Sequence, residues 1–149
     1  MARSRVTAAG LSLSMLVLAG AAALAQSAPA IYKGLEVSVS GVSRATNVSL
    51  TDCPPGANIV RGVIRPGDVN EFVSVTVDFK ATPAFTPGPL AKPTLTGADG
   101  KVYNTAQSFA EVAGQAMFQC TFSFRVPKGA AVKTFSLETA AIDVSAMGK

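Results

Sequence analysis

Histidine is absent from the 149-residue chain, and its only cysteines are Cys53 and Cys120. Without an imidazole there is no His-based general base, no Ser-His-acid triad and none of the commonest zinc and copper ligand. Two cysteines in a chain bound for an oxidising compartment read as a disulfide, which leaves no soft metal site. Closing a loop of about 68 residues, that bond stabilises the fold by roughly 4 kcal/mol on the chain-entropy account. Met117 falls on the outward side of a strand pattern and Met147 is near the terminus, so no methionine copper site is expected. Asp52, Asp68, Glu71, Asp78 and Asp99 would have to converge at one end of the fold to hold calcium. Their placement in turns and on an outer strand face reads as ordinary surface carboxylates. No carboxylate pair has the context of glycoside hydrolysis, and no serine–lysine pair is singled out. The expectation is no catalytic residue, no metal and no cofactor.

What remains are surfaces. Ser74, Thr76, Asp78 and Lys80 alternate along one face of a strand and form a short polar row. Pro83, Pro87, Pro89 and Pro93 frame Phe85 and Leu90 in a preordered, partly apolar segment, which suits partner docking as polyproline-type segments do. The competing reading makes this a crossing loop whose Phe85 packs back over the edge of the core. Tyr32 and Tyr103 serve equally well as edge caps or as binding contacts.

The elements that position these residues are strands. Phe72–Lys80 (FVSVTVDFK) puts Val73, Val75, Val77 and Phe79 on one face, the period-two signature of a half-buried antiparallel strand. Ala116–Val126 repeats it with Phe118, Cys120, Phe122, Phe124 and Val126, so Cys120 points into a phenylalanine layer. Earlier, Leu35, Val37 and Val39 alternate with polar residues until Gly41 breaks or bulges the strand. Asn47-Val48-Ser49 matches a glycosylation acceptor, a short motif that arises often by chance. TDCPPG, residues 51–56, is a proline-braced loop that presents Cys53. Residues 57–64 read as a short strand, and Arg65-Pro66-Gly67-Asp68 as a turn. The segment 81–93 cannot lie inside a sheet and carries the chain from one sheet to the other. Asp99-Gly100 marks a hairpin, with Val102 or Tyr103 inward beyond it. Phe109 is expected as a plug over the core, residues 131–144 as the last strands, and Met147–Lys149 as a frayed tail.

Length fits one domain. Arg3 and Arg5, the apolar run 8–24 and the small residues at Ala23 and Ala25 mark residues 1–25 as a cleaved signal peptide, leaving residues 26–149 as the domain. The expected location is periplasmic or extracellular, with no stable membrane insertion after cleavage. The full chain carries 13 basic and 9 acidic residues. Removing the leader lowers the net charge from +4 to +2, which with no Lys/Arg cluster in sequence argues against nucleic acid.

About seven strands, little helix and Gly/Pro turns favour an all-β fold, a two-sheet antiparallel immunoglobulin-like β-sandwich, over a small closed barrel. The immunoglobulin pairing of cysteines around a tryptophan is missing, since the chain has no tryptophan. Three stretches nevertheless resemble a known pattern: Pro66-Gly67 followed by Phe72–Val77, then Leu95–Tyr103 with its DG-K-Y hairpin, then Phe122–Ala130 with its F-x-V-P-K-G strand end. They are similar to the telokin-like immunoglobulin-like domains exported by bacteria, a family that includes the secreted immunoprotective antigen of mycobacteria. The resemblance spans residues 59–137. It implies an exported β-sandwich without known enzyme activity, and it carries over no functional residue. The chain lacks the anchoring cysteine of the lipoprotein members and adds the TDCPPG loop.

The function expected from these readings is a non-enzymatic exported module that binds a protein or cell-envelope component. A carrier of a small apolar ligand, with a cavity between the sheets lined by Phe118, Phe122, Phe124, Val75 and Val77, is the alternative. A hydrolase with an unrecognised site is the third. Self-association through an edge or outer strand is open.

Overall fold

The computed structural model describes residues 28–51, 53–54, 63–105, 107, 112, 114 and 116–148. The leader and its cleavage point, Phe109 and most of the expected strand at 57–64 lie outside the described residues. Among the described residues there are ten strands: β1 (Ala30–Tyr32), β2 (Leu35–Ala45), β3 (Val48–Ser49), β4 (Val63–Ile64), β5 (Asn70–Ala81), β6 (Thr94–Gly97), β7 (Val102–Asn104), β8 (Met117–Pro127), β9 (Val132–Leu137) and β10 (Ala140–Asp143). Eight of them make two four-stranded antiparallel sheets, ordered β1-β2-β5-β8 and β10-β9-β6-β7. Among the described residues, the short β3 and β4 pair with each other alone.

Consecutive strands β5 and β6 lie in different sheets, as do β8 and β9. β5 pairs with β8, and β6 pairs with β9. This interlocked crossing is the Greek-key core of an immunoglobulin-like sandwich. The 81–93 segment makes the first crossing, as its missing backbone donors require. Among the described residues the two sheets hold eight strands against about seven expected, and one not separated in the sequence is β1, which folds back on β2. Their turn, Lys33-Gly34, has φ of 47° and 79°, the left-handed pair that matches the twist of a two-residue hairpin.

β5 pairs along its whole length with β2 on one side and β8 on the other. Its inward Val73, Val75, Val77 and Phe79 therefore stand beside Phe124, Phe122, Cys120 and Phe118 within one sheet. These phenylalanines therefore share a sheet with β5 and do not oppose it across the sandwich. The opposing layer is Leu95, Phe135, Leu137 and Ile142, all essentially buried. Phe135 meets Phe122 and Phe124 at ring-centroid distances of 6.0 and 6.3 Å, and Phe79 stacks on Phe118 at 4.7 Å. Each such buried side chain contributes about 1.5–3 kcal/mol relative to exposure.

Cys53 is bonded to Cys120, with Cα atoms 5.4 Å apart and both residues buried. The bond ties the loop after β3 to β8, the edge strand of its sheet. Thr105 also bridges to β8 at Phe124, and its hydroxyl donates to the Ser123 carbonyl at 3.0 Å. That side of the sandwich is thus held by covalent and hydrogen-bonded ties.

Urea denaturation of the oxidised protein and of a Cys53→Ala/Cys120→Ala variant should differ by roughly 4 kcal/mol. A difference below about 1 kcal/mol would overturn the chain-entropy account of what this bond contributes.

Candidate functional site

The bulge in β2 creates the most structured polar feature of the molecule. Val39 pairs with Val77 and Gly41 with Thr76, so one residue is left over between them. An extra residue reverses the alternation beyond it. Val42 then pairs with Val75, and Arg44 with Val73, on the inward side. Glu71, two residues before Val73 on β5, has the same parity. A guanidinium and a carboxylate thereby meet between the sheets at one end of the sandwich.

Arg44 is a hub. Its Nη1 donates to Glu71 Oε1, and its Nη2 donates to the carbonyls of Ala130 at 2.7 Å and Gly148 at 3.1 Å. Nε adds a longer bond to Gly148 at 3.3 Å. Glu71 Oε1 also accepts the Gly129 N–H at 2.9 Å. The two side chains keep only 25% and 17% of their exposure. The Gly129 N–H, with Arg44 and the nearby Lys128, holds the Glu71 carboxyl below the usual carboxylate range against the opposing effect of burial. Asp143 is held low as well, by the hydroxyl and N–H of Ser145.

This hub docks the C-terminal segment, which is not frayed over residues 145–148. Met147 packs against the core, Val144 is buried, and the Met147 and Gly148 N–H groups both donate to the Val144 carbonyl. Lys149 lies outside the described residues. The docking partner is 104 residues away in sequence, which is why end position alone misleads about this tail.

Around the hub opens a concavity of about 580 Å³. Its lining includes Arg44, Glu71, Ala98, Ala131, Val132 and Lys133, from β2, β5, the β6–β7 hairpin and the start of β9. A neighbouring concavity of about 290 Å³ is lined by Thr46, Arg65, Asp68, Asn70 and Lys128 among others. None of these positions was singled out as a site residue except Asp68 and Glu71, and those as possible calcium ligands. The one readable signal was Gly41, whose bulge turns Arg44 inward.

The surfaces expected from sequence lie elsewhere. Ser74 is buried, and its hydroxyl is 3.0 Å from that of Ser123. Thr76 and Thr121 hydroxyls are 3.3 Å apart, and the Gln119 amide donates to Asp78 at 2.7 Å. Lys80 reaches Glu36 at 3.8 Å. The row is therefore a set of registered cross-strand pairs on the outer face, with Lys80 the exposed member. Phe85 and Leu90 are half-buried and packed against the core. They sit by the β1–β2 turn, at the opposite end from the two concavities. Gly34 permits this: a Cβ there would come within 2.6 Å of the Phe85 backbone. Tyr32 accepts the Ala91 N–H at 3.0 Å and donates to Glu138 at 3.0 Å, an edge cap. Of the hairpin pair, Tyr103 is inward and Val102 exposed.

Among the described residues, three of the candidate carboxylates are engaged separately. Asp78 serves Gln119, Asp99 accepts the Lys101 N–H, and Glu71 serves Arg44. Asp52 lies outside the described residues. Among the described residues no three His, Cys, Asp or Glu side chains gather as a metal site would, and no helix is long and apolar enough to cross a membrane. Comparison with protein-family models, curated proteins and solved structures returned no match.

Two outcomes test the hub. Arg44→Ala should destabilise by on the order of 2–3 kcal/mol in chemical denaturation, less than for a fully buried pair because both side chains retain some water. A depressed folded-state carboxyl contributes stability above its unfolded value, and loses it as pH falls through the folded one. The reference value is 4.5, so the Glu71 contribution should be whole near neutrality and fade below about pH 4.5. Glu71→Gln should flatten that acid limb of a melting-temperature profile.

Proposed function

We propose that this protein is an exported, non-enzymatic β-sandwich module that binds a protein or cell-envelope component at the Arg44 end of the sandwich. The 580 Å³ groove carries the reading. It falls within the size range of specific binding pockets, about 300–1,000 Å³. Ala98, Ala131 and Val132 give it apolar walls, and Arg44 and Lys133 give it charge at defined points. Its floor is braced by hydrogen bonds from three separate segments, so little ordering is required on binding. Loops set on a rigid scaffold are a favoured place for such sites. The resemblance to telokin-like exported domains supports the same reading, as does the N-terminal leader pattern.

The carrier alternative moves from the core to this groove. Phe79, Phe118, Phe122, Phe124 and Phe135 contact one another in the space between the sheets, so an apolar ligand is better accommodated between Ala98 and Val132.

Export and binding are tested separately. Terminal sequencing of the protein recovered from periplasmic or culture fractions should begin at Gln26. Cross-linked partners captured from the envelope should be lost on filling the groove with Ala131→Trp, while Pro87→Arg at the opposite end leaves them in place. Capture that survives Ala131→Trp but not Pro87→Arg would move the site to the proline loop.

A further inference from the structure

The second concavity gathers cations that, among the described residues, have no hydrogen-bonded or ion-paired carboxylate, although Lys128 lies near Glu71. Arg65 and Lys128 line it, from the β4–β5 turn and the β8–β9 turn. Arg125 on β8 leans over the same turn: a Cβ placed on Gly67 would lie 3.4 Å from its Nη2. Gly67 has φ of 85°, a left-handed conformation that glycine permits at this turn. Among the described residues, none of the three cationic groups makes a side-chain hydrogen bond or an ion pair. Contrast Arg44, Lys33 and Lys80, each of which has a carboxylate partner. Asp68 is the single carboxylate lining this concavity, and the adjacent Glu71 is already engaged by Arg44 and Gly129.

Two cations line the concavity beside the single carboxylate of Asp68, and Arg125 lies beside its Gly67 turn; like charges so gathered repel unless solvent or a ligand compensates them. Two planar guanidinium forks with an ammonium suit an oxyanion with several acceptor oxygens, for which arginine offers paired donors and lysine a point charge. Thr46 supplies a hydroxyl to the lining. Asn70 supplies an amide whose Nδ2 donates to the Pro66 carbonyl at 3.3 Å, which steadies the turn. At about 290 Å³ the space suits a small group rather than a polymer face.

We propose that Arg65, Arg125 and Lys128 form a binding site for a phosphate-bearing ligand, held at the mouth of the β4–β5 turn. The proposal concerns a different concavity from the Arg44 groove and does not depend on the partner reading above. The cations come from positions 65, 125 and 128, so the sequence shows no basic run.

The test uses the purified, disulfide-bonded protein and inorganic phosphate as probe, read by amide chemical shifts at constant ionic strength. Saturable shifts should centre on Gly67, Asp68, Lys128 and Gly129. Arg65→Gln, Arg125→Gln and Lys128→Gln should each weaken binding about 1.5- to 5-fold, as expected for exposed charge pairs. Lys33→Gln and Lys92→Gln, at the far end, should leave affinity unchanged. Shifts that do not saturate, that chloride reproduces, or that Lys92→Gln reduces as much as Arg65→Gln would overturn the site. Vesicles of phosphatidylglycerol, against phosphatidylcholine, then separate the two sources. Co-sedimentation that phosphate competes away identifies a lipid headgroup. Phosphate binding without co-sedimentation identifies a soluble phosphate ester. Vesicle binding without any phosphate-dependent shift at the turn overturns the proposal.

Discussion

The ladder between β5 and β8 is the constraint on which the rest of the molecule depends. It runs unbroken from Asn70–Pro127 to Lys80–Met117. Because alternation is strict, one register choice sets both faces at once. It places four apolar side chains of β5 beside Phe124, Phe122, Cys120 and Phe118, and it stacks hydroxyl on hydroxyl and amide on carboxylate outside. A slip of β5 by one residue would turn Val75, Val77 and Phe79 to the outside and draw Asp78 between the sheets. The disulfide acts on the same ladder, since Cys120 is a member of it.

Against that regular strand pair, the irregularity in β2 has a large consequence. A single unpaired residue near Gly41 moves the inward phase from Val39 to Val42 and Arg44. The inward arginine then meets an inward glutamate, and the pair collects the Ala130 carbonyl, the Gly129 N–H and the Gly148 carbonyl. A charged pair so placed is stable only because its remaining donors and acceptors are matched by backbone groups. It closes the end of the core and props open the groove above it.

Much of the architecture could be read from residue order because its causes are local. Alternation identified β2, β5, β8, β9 and β10, proline distribution identified the crossing segment, and Asp99-Gly100 identified the β6–β7 hairpin. The extra strand β1 was hidden by its brevity. The site was less legible. Phe85 and Leu90 drew notice as apolar residues among prolines, but Gly34 lets the chain approach closely enough to draw them back onto the core. The polar row drew notice as an outer face, but β8 supplies a partner to each of its first three members.

By itself the sequence determined the strand-rich class, the absence of histidine chemistry, the pairing of its two cysteines and the inward faces of its two longest regular strands. These depend on composition and on a period of two, which any single strand displays. Only the tertiary structure decided which strands are neighbours and that Arg44 points inward. It also decided that residues 145–148 are docked, and that Arg65, Arg125 and Lys128 share one turn. Those facts depend on the phase of a bulge and on segments far apart in sequence, and no local pattern carries either.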